Sequence, residues 1–181
     1  MSLAPALLLS MPQLIDPNFA KSVVLLCEHA PEGAFGLVVN RPSDIAAAEA
    51  VRLEPPVDDP NDLPLLIGGP VEPERGWILT AQAPEHVEHR SVGAGLYLSA
   101  SPLLLRRALM ARPLPKRTVV LAGYAGWGPG QLDSELAESA WLIMPVELDL
   151  IFEIPSTSAW EMAIRRLGAD PHFLQMGHGI H

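Results

Sequence analysis

Short apolar runs, each closed by proline, glycine or an acidic residue, recur along the chain and set its element pattern. Ala6–Ser10 reads as a first strand, and Pro12–Phe19 as an irregular loop with Asp16 and Pro17 as turn residues. Ser22–Cys27 is rich in Val and Leu and suits a strand buried on both faces. A turn over Ala30–Gly33 leads to a partner strand over Ala34–Asn40, predicting a hairpin. Arg41-Pro42 stops that strand, because proline cannot donate to a ladder, and Ser43 is placed to cap a helix over Ile45–Leu53. Glu54–Pro64 holds four prolines and four acids in eleven residues and reads as a solvated loop.

The second half is equally segmented. Leu65–Ile67 predicts a short strand ended by Gly68-Gly69-Pro70, and Trp77–Thr80 another after a turn over Glu72–Gly76. Ala81–Arg90 is polar and irregular, and Leu96–Leu98 is a strand. Ser101-Pro102 opens a helix to about Ala111, with proline in its first turn and Pro113 and Pro115 beyond its end. Lys116–Ala122 is a central strand, followed by a turn with glycines at 123, 126, 128 and 130, then a helix over Gly130–Ser139 with Leu132, Leu136 and Ala140 along one face. Trp141–Met144 is a strand, and Ser158 with Glu161 forms a capping box for a helix ending at Gly168. Asp170-Pro171 starts a terminal turn. Strands and helices mix without regular βαβ alternation, so the expected class is α+β, with a mixed, mainly antiparallel sheet and flanking helices in one domain over 1–181.

Composition narrows the function classes. An apolar fraction of 49% is ample for a core. Nineteen prolines, about twice average usage, favour many short elements with rigid joints. A net charge of −9 opposes non-specific binding to nucleic acid or anionic lipid. The single cysteine, Cys27, fits a reducing compartment. The leading apolar run has no Lys or Arg before Lys21, unlike a signal peptide, and no run approaches the roughly 20 apolar residues of a membrane span. The expected location is the cytoplasm.

Four features are candidates for chemistry. The glycine spacing is G-x-x-G-x-G-x-G, not the dinucleotide or phosphate-loop pattern. Asp133 and Glu135 in the following helix would repel a phosphate. Cys27-Glu28-His29 ends a buried strand, where His29 would share a face with Cys27. That permits either a packed thiol or a reactive, redox-sensing one. His86 and His89, and His178 and His181, lack zinc-site spacing, so no metal or cofactor is expected. Arg106, Arg107, Arg112, Lys116 and Arg117 form a basic run without interleaved aromatics, which reads as a solvated helix end before a nucleic-acid surface. No nucleophile elbow is present.

Taken together, Met11-Pro12, Asp16-Pro17-x-Phe19, Cys27-Glu28-His29, Gly33-Ala34-x-Gly36-Leu37-Val38-Val39-Asn40-Arg41-Pro42, Gly68-Gly69-Pro70-Val71, Arg75-Gly76 and the GYAGWGPGQL run from Gly123 resemble the AlgH/YqgE family over nearly the whole chain. Trp160, Leu167-Gly168 and Gly177-His178 fit the same pattern, and 177–181 reads as a flexible tail. The resemblance implies a bacterial α+β domain whose sheet curls into a partial barrel, and a label of transcriptional regulator, with no catalytic residues to carry over. The motif positions are Cys27, His29, Asn40, Arg41, Gly69, Arg75, Tyr124, Trp127, Gln131 and Glu135. Thr80 stands where the family usually has His, and Ser101-Pro102 replaces a Ser-x-Asp start. The expected function is a cytoplasmic, non-catalytic regulatory or binding protein with an unidentified protein or small-molecule partner. Its surface would be built from the Asn40-Arg41-Pro42 turn, the Gly-Gly-Pro turn and the glycine loop. A thiol sensor or enzyme centred on Cys27 is the alternative, and direct DNA binding the third.

Overall fold

The computed structural model describes residues 1–12, 14 and 16–172. His178, His181 and the expected tail over 177–181 lie outside the described residues. The strands are β1 (Ala6–Ser10), β2 (Val23–Ala30), β3 (Gly33–Val38), β4 (Pro42–Ala46), β5 (Pro64–Ile67), β6 (Val71–Thr80), β7 (Arg90–Gly93), β8 (Leu96–Ser99), β9 (Thr118–Trp127) and β10 (Trp141–Met144). The helices are α1 (Ala47–Ala50), α2 (Pro102–Met110), α3 (Gln131–Ala137), α4 (Leu148–Phe152) and α5 (Ser156–Arg166). The strand path runs β10-β1-β2-β3-β9-β6-β8-β7, with β4 and β5 attached beside β9. Every pairing is antiparallel except β5 with β9. The mixed, mainly antiparallel α+β class is therefore the observed one.

The sheet forms a half-barrel, and its packing shows why. One core gathers Leu7, Leu9, Leu25 and Leu37 with Met144 from one end of the strand path and Val92 and Leu98 from the other. Only a sheet curled on itself brings those ends together. α4 and α5 cover this core with Leu150, Ile151, Trp160 and Ile164, and the Trp160 indole donates to the Ser10 carbonyl at 3.0 Å. Arg166 clamps α5 to α4 through Glu147 and Asp149, both at 2.6 Å. The opposite face has two smaller cores. α3 covers Leu8, Val24, Leu26 and Val38, while α1 and α2 cover Leu65, Ile78 and Val120.

β9 is the spine of the sheet. Its first half lies between β5 and β6, and its last three residues pair with β3. The expected glycine turn after Ala122 is instead the continuation of this strand, and the chain turns only at 128–130. Gly123, at φ +77°, resets the alternation, so that Leu121 and Tyr124, three apart, face the same core. Gly69, at φ +152°, lets the β5–β6 connection press directly on the Tyr124 backbone.

Other expectations shift for local reasons. Ser43 caps no helix: its hydroxyl accepts from Ile45 N–H while Pro42–Ala46 pairs with β5, leaving only a four-residue helix. Pro42 therefore opens an edge strand, a position proline tolerates. Glu72–Gly76 is not a separate turn but a bulged stretch within β6, where Val71 pairs with Tyr124 and Gly76 with Ala122. The loop over 54–64 is only partly solvated. Asn61 is buried and its amide donates to the Ala108 and Ala111 carbonyls, closing the C-terminus of α2. Ser158 lies inside α5, whose start is set by Pro155, so no capping box forms. β7 and α4 are additional elements.

Candidate functional site

The motif residues separate into three groups. Asn40 and Arg41 serve the loop before β2. The Asn40 amide accepts from Val23 N–H at 2.9 Å and donates to the Lys21 carbonyl at 2.9 Å. Arg41 donates to the carbonyls of Asn18 and Ala20 at 2.8 and 2.7 Å and to the Ser22 hydroxyl at 3.2 Å. These donors satisfy the open end of a short 3-10 turn at Pro17–Phe19. The side chains expected to form a partner surface with the glycine loop are thus committed to the fold.

Trp127, Gln131 and Glu135 form the second group, on the α3 face. Glu135 Oε1 accepts from the indoles of Trp127 and Trp141 at 3.1 and 2.8 Å, and Oε2 accepts from Gln131 at 3.1 Å. Gln131 in turn accepts from Gly128 N–H at 3.0 Å, tightening the turn into α3. His29 joins this side. Leu3 N–H donates to Nδ1 at 3.0 Å, which leaves Nε2–H to donate to Asp133 at 2.9 Å.

Cys27 sits elsewhere. A bulge falls between Leu26 and Glu28, which pair with Gly36 and Phe35, so Cys27 is the extra residue. Cys27 packs in the large core with Leu25, and His29 faces α3. The expectation that the two share a face fails because the bulge breaks the two-residue period. Burial pushes the Cys27 thiol up to about 12, partly offset by Arg90 nearby. That is opposite to what a thiolate nucleophile requires.

The third group opens a cavity of about 650 Å³ at the rim of the half-barrel. Arg75 and Tyr124 are the motif residues here, joined by Phe35, Trp77, Glu28, Glu72, Glu88, His89 and Arg90. Phe35, Trp77 and Tyr124 form one aromatic cluster, with ring centroids 5.0 to 6.3 Å apart. The Arg75 guanidinium lies 4.5 Å from the Trp77 ring centre and that of Arg90 5.2 Å from Phe35. Arg90 pairs with Glu28. Tyr124 donates to Glu72 at 2.7 Å, and that hydrogen bond to a carboxylate raises the phenol above its ordinary value. The Trp77 indole N–H is buried without a partner among the described residues.

His89, set aside above for its lack of zinc-site spacing, lines this cavity, and Phe35, Glu72, Glu88 and Arg90 were not among the expected site residues. The available signal was Arg75-x-Trp77, two residues sharing a strand face. It was masked by reading Glu72–Gly76 as a turn. The basic run lies at the surface, as expected of a solvated helix end, and its arginines are engaged there. Arg106, Arg107 and Arg112 donate to the carbonyls of Pro55, Glu85 and Asp59, and Arg117 pairs with Glu153 at 2.7 Å.

The fold and the cavity define a single-sheet α+β half-barrel with an aromatic-walled pocket at its rim. A model of the AlgH-like family (DUF179) matches residues 7–172. The chain belongs to that family. A UPF0301 protein of Anaeromyxobacter dehalogenans strain 2CP-1 is 44% identical, over 98% of this chain and 94% of the relative. The solution structure of the AlgH protein from Pseudomonas aeruginosa is similar with a TM-score of 0.79 at 34% identity, covering 100% of this chain and 96% of that one. The crystal structure of DIP2367 from Corynebacterium diphtheriae shares the fold, with a TM-score of 0.67 at 23% identity over 90% of this chain and 86% of that one. No helix among the described residues is long and apolar enough to cross a membrane.

Proposed function

We propose that this chain is a cytoplasmic, non-catalytic binding protein with a regulatory role, and that its ligand site is the rim cavity. One observation carries the reading. Arg75 and Tyr124 converge on a concave, aromatic-walled space, whereas the other polar motif side chains have partners inside the fold. A cavity of about 650 Å³ lies within the size range of small-molecule sites. The nearby hydroxyls support binding over catalysis. Ser99 donates to the Glu88 main-chain carbonyl at 2.6 Å, which is no base, and the Tyr124 phenol, held by Glu72, is raised above its ordinary value, away from the phenolate a nucleophile needs. The net charge of −9 and the internal engagement of the arginines weigh against direct DNA contact.

The test is nuclear magnetic resonance of the labelled chain with a metabolite mixture. Binding compounds are expected to shift the Trp77 indole signal and to be recovered unchanged. A compound consumed at a rate that Arg75→Ala abolishes would overturn the reading.

A further inference from the structure

Resting on that reading of the cavity, we infer that its ligand is an amino-acid-type zwitterion with an aromatic side chain. The argument is one of charge left over. Glu28 and Arg90 neutralise each other. Glu72 is held by the neutral Tyr124 hydroxyl. Arg75 has no carboxylate within 4 Å, and Glu88 no cation within 4 Å, among the described residues, although both line the same cavity. An unengaged cation and an unengaged anion therefore line one cavity without pairing across it.

A ligand bearing only a phosphate meets three carboxylates against two guanidinium groups and is repelled. A neutral aromatic body would desolvate Arg75 and Glu88 and leave them unpaired, which is unfavourable. A single molecule carrying both a carboxylate and an ammonium complements both. Arg75, stacked on Trp77, presents a planar fork suited to two carboxylate oxygens. Glu88 and Glu72 accept from the ammonium. The Phe35–Tyr124 side of the cluster takes up an aromatic side chain at the offset and edge angles that rings prefer.

L-phenylalanine is the probe, with 3-phenylpropanoate lacking the ammonium and phenethylamine lacking the carboxylate. Each is titrated into the full chain by calorimetry, with the Trp77 indole signal followed in parallel. Phenylalanine is expected to bind at least about tenfold more tightly than either analogue. Arg75→Gln should bring phenylalanine down to the level of phenethylamine, and Glu88→Gln down to that of phenylpropanoate. Both side chains are exposed, so neither change threatens folding. Equal binding of all three compounds, or a preference that both variants retain, overturns the inference. If phenylalanine leaves Trp77 unmoved while other compounds of the mixture shift it, the ligand class is wrong and the cavity reading stands. If nothing shifts Trp77, both fall.

Discussion

Cys27 and His29, two residues apart in β2, face opposite sides of the sheet, because Cys27 is the extra residue of a β-bulge. The thiol is therefore buried away from the His29 imidazole and binds its proton more tightly in the folded chain than its ordinary 9.0. The contribution of such a group to stability is complete below about pH 9 and is lost as pH rises towards 12. The unfolding free energy of the parent chain, from urea titration, should fall relative to Cys27→Ala by up to about 1.4 kcal/mol per pH unit above pH 9. Alkylation of the folded parent at neutral pH should be no faster than unfolding allows. Parallel stability curves, or rapid labelling of folded protein, would restore the reactive-thiol alternative.

Gly69 and Gly123 carry the closest approach between the β5–β6 connection and β9. A Cβ on Gly69 would overlap the Tyr124 backbone, and its φ of +152° is one that side chains rarely adopt. Gly69→Ala should destabilise by at least about 2 kcal/mol, since neither the strand backbone nor the dihedral has a soft way to yield. Gly76→Ala is the control. A Cβ there meets nothing within 4 Å and its φ is ordinary, so its effect should stay within about 0.5 kcal/mol. Equal effects of the two substitutions in chemical denaturation would show that backbone approach is not what selects glycine at 69.

Glu135 holds three elements together by accepting both indole N–H groups and the Gln131 amide. Its removal in Glu135→Ala strands two part-buried donors and should destabilise by roughly 2 to 4 kcal/mol. Glu135→Gln keeps a carbonyl for the indoles and loses only the charge assistance, so a smaller loss is expected. Unfolding followed by tryptophan fluorescence distinguishes the cases. Equal stability of the alanine variant and the parent would remove this carboxylate from the account of the fold.

These contacts also show what the sequence made legible. Ala6–Ser10 and Trp141–Met144 are strands at the predicted residues, and Ser101 caps α2 from its hydroxyl as expected. Each of those signals is local: an apolar run with clear punctuation, or a serine before a proline. The half-barrel followed from the family resemblance. Opaque were the features that depend on register between distant segments. The bulge at Cys27 exists only against Gly36 and Phe35, and the face reset at Gly123 only against Val71 and Gly76. Arg75 and Tyr124 were named as motif positions, but the cavity that unites them draws on β2, β3, β6, β7, β8 and β9, and no linear spacing encodes it.

Tyr124 and Glu72 offer the most direct check on the cavity wall. The chain has two tyrosines, and Tyr124 should titrate above its ordinary 10.0 because its hydroxyl donates to the Glu72 carboxylate. In an ultraviolet absorbance titration, Tyr124→Phe identifies which transition belongs to this residue. Glu72→Gln replaces the charged acceptor with a neutral one, so the Tyr124 transition should move down in pH while that of Tyr97 stays in place. The direction is diagnostic, because opening the site to solvent alone would leave the carboxylate and its charge effect behind. A Tyr124 transition that does not respond to Glu72→Gln would mean that the two side chains are not joined. The cavity would then present a free phenol and a second unengaged carboxylate beside Glu88, and the charge balance that selects a zwitterion over a simple cation would no longer hold.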